Sequence, residues 1–207
     1  MLLAYDLLMR LPVSVGAGYF LWREWRALEA AEGLLKVSAH VATMIFLALL
    51  AAMTLARHRP VRRSEGSLPR LAAIAGLTML YALLLFPRAA PDAFLDSASL
   101  ALLVAGHFIA AVALSQLGRS FSVMPEARRL VTAGIYSRVR HPLFLAEGVA
   151  TLGVLLQYRS VGALLLVAAQ LAVQLWRMND EEKVLEAQFS EYGEYRQRTA
   201  RLPPGVY

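Results

Sequence analysis

The chain has 207 residues, of which 58 % are apolar and 17 % charged, with no cysteine and a formal net charge of +6. Soluble domains are usually about 45–50 % apolar and about 25 % charged, and a mean hydropathy of +0.51 leaves too little polar surface for a water-soluble globule. These values exclude a disordered chain, a disulfide-stapled secreted domain and cysteine-based chemistry, and they argue against a soluble enzyme.

The beginning of the chain has two interpretations. Leu11–Trp22 is apolar but short, and aromatic side chains follow at Tyr19, Trp22 and Trp25. This pattern fits a first transmembrane helix with aromatic residues at the membrane interface, or a helix that lies in the interface. Both remain open from the sequence.

Five longer apolar segments follow, and a helix needs about 20 apolar residues to cross a bilayer. Leu34–Ala56, Leu71–Pro87 and Ala93–Leu117 are the longer ones, whereas Leu143–Gln157 and Val161–Trp176 would be only about 22–24 Å long. We interpret the last two as a tight helical hairpin. The sequence therefore predicts a single all-α integral membrane domain over residues 1–207, with five or six transmembrane helices and a cytoplasmic, helical C-terminal tail.

The basic residues are distributed unevenly between the two sides that these spans define. Residues 57–70, 118–142 and 177–207 each hold five of the 21 Lys and Arg residues. If every span crosses, these three segments lie on one side, which the positive-inside rule makes cytoplasmic. The charge is thereby explained by topology, and we expect no nucleic-acid partner. Because Arg (19) greatly outnumbers Lys (2), we expect a bacterial inner-membrane protein.

Polar residues concentrate at the two ends of the predicted hairpin. Arg140-His141-Pro142 precedes its first helix, and Arg177 to Glu182 follow its second. Both ends of a hairpin return to the same surface, so these groups should lie close together. Pro142 suits the first turn of a helix, which leaves His141 at the helix entrance beside its positive dipole end.

Such a site offers cationic and anionic groups together, which matches a zwitterionic ligand. Arg177 and Glu181 are spaced i, i+4 and could pair on one face, with Glu182 turned about 100° away. The four histidines show no spacing typical of metal ligands, so we expect no metal.

The C-terminal half resembles a known family. The segments Leu130-Val-Thr-Ala-Gly-Ile-Tyr136, Arg140 to Phe144, Arg177-x-x-x-Glu181-Glu182 and Tyr192-x-x-Tyr195, followed by Arg201 and Pro204, are similar in order to isoprenylcysteine carboxyl methyltransferases. These enzymes belong to a wider group of small integral-membrane methyltransferases that includes the phospholipid N-methyltransferases. Phe144 departs from the tyrosine usual in the family, and Phe189-Ser190 departs from its Phe-Gly.

The resemblance implies S-adenosylmethionine as methyl donor and S-adenosylhomocysteine as product. Residues 1–117 would supply the N-terminal spans, and residues 118–204 would hold the cofactor and the catalytic groups. It implies a set of cofactor-binding residues: Arg128, Arg129, Leu130, Val131, Tyr136, Arg140, His141, Pro142, Leu143, Phe144 and Glu181. The implied catalytic residues are Arg177, which faces the acceptor, with Glu181 and Glu182.

The acceptor and two rival functions stay open. A lipidic or hydrophobic acceptor would enter from the bilayer, and the resemblance favours the carboxylate of a prenylcysteine-type molecule, which Arg177 would orient. The alternative is a phospholipid or another small-molecule N- or S-acceptor, for which Glu181 or Glu182 would serve as base. Different classes are an NADPH-dependent enzyme of the sterol-reductase type and a non-enzymatic membrane scaffold. The sequence does not indicate an oligomeric state.

Overall fold

The computed structural model describes residues 2–203, with side chains from residue 10 onward, and is mostly helical. Pro204, the last residue of the family motif, lies outside the described residues. The helices are α1 (Leu2–Leu28), α2 (Leu34–Ala56), α3 (Leu68–Thr78), α4 (Ala93–Leu117), α5 (Pro142–Tyr158), α6 (Val161–Gln188) and α7 (Tyr192–Arg198). Two-residue strands β1 (Arg62–Arg63) and β2 (Glu126–Ala127) pair in antiparallel register.

Four of the described segments are long and apolar enough to cross a membrane: Leu34–Ala56, Leu68–Leu85, Ala93–Ser120 and Val161–Gln188. Helix α5 is apolar but shorter. The all-α membrane class is thus confirmed.

The boundaries of two helices differ from those predicted from the sequence. The second long span begins at Leu68, because Pro69 starts the helix, and changes to a 3-10 helix over Met79–Leu85. The last span continues beyond Trp176 to Gln188. The tail is not one continuous helix, because residues 189–191 between α6 and α7 are not helical.

Helix α1 lies antiparallel to α2. The Arg10 guanidinium donates to the carbonyl oxygen of Leu55 at 2.7 Å, near the end of α2. Toward the start of α2, Glu24 contacts His40 Nδ1 at 2.7 Å. Residues 10–24 of α1 therefore run beside residues 40–55 of α2.

The three basic segments meet on one side of the helix bundle. Strand β1, in the loop after α2, pairs with β2, in the loop after α4. Between the same two loops, His58 N–H donates to the Arg119 carbonyl at 2.8 Å. A bridge between Val139 and Ala200 brings the C-terminal tail to the same side. This grouping agrees with the one that the charge distribution predicts.

The α5–α6 hairpin turns within two residues at the opposite side. Arg159 adopts the left-handed conformation at φ 42°, and the Ser160 hydroxyl caps α6 by accepting from Ala163 N–H at 3.2 Å. Its first helix packs tightly on α4: a Cβ at Gly106 would stand 2.8 Å from the backbone nitrogen of Ala150. Small residues at this contact allow the backbones to approach closely, as in other membrane helix pairs.

Candidate active site

The entrance of α5 lies against the polar end of α6. His141 is the N-cap residue of α5, although its side chain makes no capping hydrogen bond. Pro142 occupies the first turn, where a proline loses no helical hydrogen bond. His141 Nε2 lies 3.0 Å from Glu182 Oε1, and Arg140 Nε donates to the same oxygen at 3.1 Å. The proximity predicted from the hairpin is therefore confirmed, and Glu182 is its centre.

The C-terminal tail completes this ionic cluster. Arg201 Nε lies 3.4 Å from Glu182 Oε1, and Arg140 also donates to the carbonyl oxygens of Arg196 and Thr199. Glu182 is 10 % exposed and His141 4 %. Two guanidinium groups and one imidazole thus surround a single buried carboxylate and fix the tail across the α5 entrance.

Tyr195 adds a second attachment of the tail. Its hydroxyl donates to the Tyr136 carbonyl at 2.7 Å. Burial raises the pKa of Tyr195 to about 12, with Arg140 opposing and Glu181 and Glu182 reinforcing the shift. Burial likewise raises the pKa of Tyr136 and Tyr192, so all three phenols are protonated at neutral pH.

Two of the cavities beside this cluster share part of their walls. The outer chamber lies among the loops, and its polar lining consists of Ser120, Ser122, Glu126, Arg128, Arg129, Tyr136, Arg140, His141, Glu181, Tyr192 and Tyr195. The inner chamber lies between α2 and the helices α3 to α6, with walls that include Phe46, Leu50, Leu77, Leu114, Leu143, Phe144 and Ala150. The polar residues common to both are Ser122, Tyr136, Arg140, His141 and Glu181.

The residues predicted for the site divide between these chambers. Arg128, Arg129, Leu130 and Val131 line the outer chamber. Leu117 and Leu185, which were not predicted as site residues, line it as well. Pro142, Leu143, Phe144 and Arg177 line the inner chamber. Glu181 borders both and is 39 % exposed, with Oε2 at 3.8 Å from His141 Nδ1. Glu182 lines neither of these two chambers; together with Arg140, Arg196, Thr199 and Arg201 it lines a separate pocket at the C-terminal tail.

Arg177 has partners that the sequence did not indicate. Instead of the expected pair with Glu181, its Nη1 donates to Gln174 Oε1 at 2.6 Å and lies 3.8 Å from Glu147 Oε2. The guanidinium stands over the Phe144 ring at 5.1 Å, and a Cβ at Gly76 would come within 2.6 Å of Arg177 Cδ. Phe144, which replaces the tyrosine usual in the family, thus packs against the Arg177 guanidinium.

Ser122, Glu126 and Glu147 line these chambers but were not identified from the sequence, and Tyr192 was quoted only as part of the family motif. Glu126 accepts from Ser122 at 3.1 Å and from Arg128 at 2.6 Å, and these three lie in the loop before the family motif. Tyr192 is 1 % exposed, and its hydroxyl has no hydrogen-bond partner among the described residues. A carboxylate at Glu147 inside an apolar helix was the available signal for the inner chamber, since such residues are costly in a membrane.

Comparison with known families finds a match that covers most of this region. Residues 96–192 match the model of the phospholipid methyltransferases. The matched stretch holds α4 from Asp96 onward, α5, α6 and the polar residues of both chambers except Tyr195, and it confirms the resemblance to the small integral-membrane methyltransferases. A search of curated proteins finds no match to the chain.

Proposed function

Because residues 96–192 match the phospholipid methyltransferases, a family of membrane methyltransferases, we propose that this chain transfers a methyl group from S-adenosylmethionine to a hydrophobic acceptor. One observation carries the proposal. A polar chamber open to the loops and an apolar chamber between the helices meet at Tyr136, Arg140, His141 and Glu181. Such an arrangement suits a reaction between a water-soluble donor and a membrane-soluble acceptor.

The outer chamber fits the cofactor by its donor set. S-adenosylmethionine carries a carboxylate, an ammonium and a sulfonium group, and the chamber offers Arg128 and Arg129 beside Glu126 and Glu181. The buried Tyr192 hydroxyl, which no described residue satisfies, supplies a further hydrogen bond to a ligand. We assign the cofactor to this chamber, with His141 at its junction.

When bound, the cofactor supplies an electrophilic methyl group for in-line displacement. The chain's part is to align the two reactants, since proximity lowers the barrier more than any other factor available here. His141 and Glu181 stand where the chambers meet, next to the transfer position. Glu182 contacts neither reactant in this arrangement, so we assign it as a positioning residue that holds Arg140 and His141, instead of a base.

The inner chamber receives the acceptor from the bilayer. For a carboxylate acceptor of the prenylcysteine type, which the resemblance to that family favours, Arg177 is the orienting group and no base is needed. For an amine acceptor, such as a phospholipid headgroup, a carboxylate must take a proton, and Glu181 lies at the junction. Either acceptor shares the same cofactor site.

We further propose that all of α1 to α6 cross an inner membrane, with the loops of the outer chamber in the cytoplasm. The three basic segments lie together on that side, and α1 runs beside α2 from His40 to Leu55. The cytoplasm is also the compartment that supplies the cofactor.

Calorimetric titration of the purified protein with S-adenosylmethionine and with NADPH tests the proposal against its rivals. We expect saturable heat with the first compound and none with the second. Binding of NADPH alone would favour a reductase of the sterol-reductase type. Absence of binding to both would favour a non-enzymatic scaffold.

A further inference from the structure

The inner chamber contains a histidine, His107, that lies apart from its other polar residues. Those residues either stand where the two chambers meet or belong to the pair of Glu147 and Arg177, whose charged groups are 3.8 Å apart. Within residues 10–203, no hydrogen bond or ion pair joins His107 to any of them. A polar residue inside a membrane-spanning helix is costly, which makes His107 a candidate functional residue.

His107 lies far from the place of methyl transfer. Its neighbour Gly106 meets α5 at Ala150, because a Cβ on this glycine would stand 2.8 Å from the Ala150 nitrogen. Ala150 follows His141 by nine residues of α5, which corresponds to about 13 Å at the helical rise per residue. A part of the acceptor that reaches His107 therefore belongs to its hydrophobic portion, well away from the methylated atom.

The contacts of His107 determine which ring nitrogen carries the proton. The Thr43 hydroxyl on α2 donates to the Ala39 carbonyl at 2.8 Å, so its oxygen offers lone pairs to His107 Nδ1, 3.3 Å away. The Leu103 carbonyl, one turn earlier on α4, is a further acceptor for the ring N–H. These contacts assign the proton to Nδ1. In a neutral imidazole, Nε2 is then a hydrogen-bond acceptor.

Nε2 is the nitrogen of His107 that remains for a ligand. Among the described side chains, the partner of His107 is Thr43, which uses Nδ1. The Phe46 ring packs against the imidazole with the ring centroids 5.3 Å apart, and both rings line the chamber. A nitrogen in such apolar surroundings is normally satisfied by a hydrogen bond, and here a ligand has to donate it.

A hydroxyl group is the donor that fits this position best. An amide would bring a carbonyl oxygen as well, and the neighbouring wall residues Phe46, Leu50 and Ala150 have no side-chain donor for it. A charged ammonium would need a carboxylate, and Glu147 is already engaged by Arg177 and Gln174. A hydroxyl needs one acceptor and occupies little space.

We propose that His107 Nε2 accepts a hydrogen bond from a hydroxyl group in the hydrophobic portion of the methyl acceptor. This inference rests on the proposed function and adds a feature of the acceptor that does not depend on which atom is methylated. The hydroxyl lies about 13 Å from that atom, at the level where α4 meets α5. An acceptor with a plain alkyl chain leaves Nε2 without a partner and binds more weakly. His107 is thus a specificity-determining residue.

Three ten-carbon probes test this recognition without knowledge of the natural acceptor. Decanoate and 10-hydroxydecanoate share their headgroup and chain, and 10-methoxydecanoate carries an ether oxygen that does not donate. Calorimetry measures the affinity of each probe for the purified protein in detergent. The measurements compare the wild type with His107→Leu and with His107→Phe, which keeps a ring beside Phe46 but has no nitrogen. Because each probe partitions equally into the micelles for every variant, the ratio of two affinities compared between variants cancels this contribution.

We expect the affinity ratio of 10-hydroxydecanoate to decanoate to be at least about fivefold higher in the wild type than in either variant, as one hydrogen bond implies. The ratio of 10-methoxydecanoate to decanoate should show no such difference. His107→Gln, whose amide oxygen accepts, should keep part of the hydroxyl preference. The matched control is His40→Leu, since His40 pairs with Glu24 at 2.7 Å and borders neither chamber, and it should keep the wild-type ratio.

Equal hydroxyl ratios in the wild type and in the two variants without a ring nitrogen would overturn the proposal. A gain for the methyl ether as large as that for the hydroxyl would overturn it too. A role of His107 limited to holding α2 against α4 uses Nδ1 and Thr43 alone, so it predicts equal ratios. The probes bind without the cofactor, so failure of the wild type to bind S-adenosylmethionine would instead contradict the proposed function.

Discussion

His141 and Glu182 are 41 residues apart in the chain, yet His141 Nε2 lies 3.0 Å from Glu182 Oε1. This contact joins the first turn of α5 to the polar end of α6. Arg140 and Arg201 share the same oxygen at 3.1 Å and 3.4 Å, so one carboxylate links both helices to the C-terminal tail. The outer chamber depends on that link for its shape.

Glu182→Ala is expected to destabilise the protein more than any neighbouring acidic substitution. Removal of one partner from a buried ion pair typically costs about 3–5 kcal/mol, because the opposite charges stay buried without compensation. Thermal unfolding in detergent measures the effect. Glu186→Ala is the matched control, since Glu186 is exposed and its contact with Arg196 is 3.7 Å long. Equal melting temperatures for the two variants would contradict the role assigned to Glu182.

His141→Ala is expected to weaken binding of S-adenosylmethionine by about tenfold or more, because a hydrogen bond to a charged group contributes about 1.5–3 kcal/mol. His141 also forms the wall between the two chambers. Calorimetric titration gives the affinity, with His58→Ala as control because His58 is exposed and borders neither chamber. An unchanged affinity in His141→Ala would refute its place at the cofactor.

Arg177→Ala is expected to impair use of the acceptor more than affinity for the cofactor, since Arg177 lines only the inner of the two chambers. Gly76→Ala should act in the same direction, because its new Cβ would stand 2.6 Å from Arg177 Cδ and displace the side chain. The measurement is the KM for the acceptor beside the Kd for S-adenosylmethionine. Gly148→Ala serves as control, as its Cβ would meet nothing within 4 Å. A defect confined to the cofactor would reverse the assignment.

Tyr195→Phe is expected to change how stability depends on alkaline pH. The pKa of Tyr195 is raised from 10.0 to about 12 in the folded protein, so the unfolded chain ionises first as the pH rises. Its contribution to stability is therefore complete below pH 10 and is lost between about pH 10 and 12. Across this pH range, the free energy of unfolding should fall less steeply with rising pH in Tyr195→Phe than in the wild type. Tyr19→Phe, at an exposed position on α1, should follow the wild-type slope.

The sequence predicted the features that follow from periodicity, charge and chain connectivity. Apolar length predicted the four long apolar helices, and the short break at residues 158–160 between the last two apolar segments implied that Arg140 and Glu182 return to one surface. Proline chemistry correctly placed His141 at the start of α5.

The remaining features depend on packing between segments that are distant in the chain. The i, i+4 spacing favoured Arg177 with Glu181, but the actual partners are Gln174, three residues earlier on the same helix, and Glu147 on the facing helix α5. Likewise, only the fold of the tail brings Arg201 to Glu182 and leaves the Tyr192 hydroxyl without a partner among the described residues. Local spacing does not encode such contacts.

The most direct test of the central claim is transfer of the methyl group itself. Purified protein is incubated with methyl-labelled S-adenosylmethionine and bacterial membrane lipids, and the organic phase is then separated and its labelled product identified. We predict label in a hydrophobic product, formed at a rate that His141→Ala strongly lowers and His58→Ala leaves unchanged. An organic phase without label, from protein that binds S-adenosylmethionine and is supplied with these lipids, would contradict transfer to a membrane acceptor.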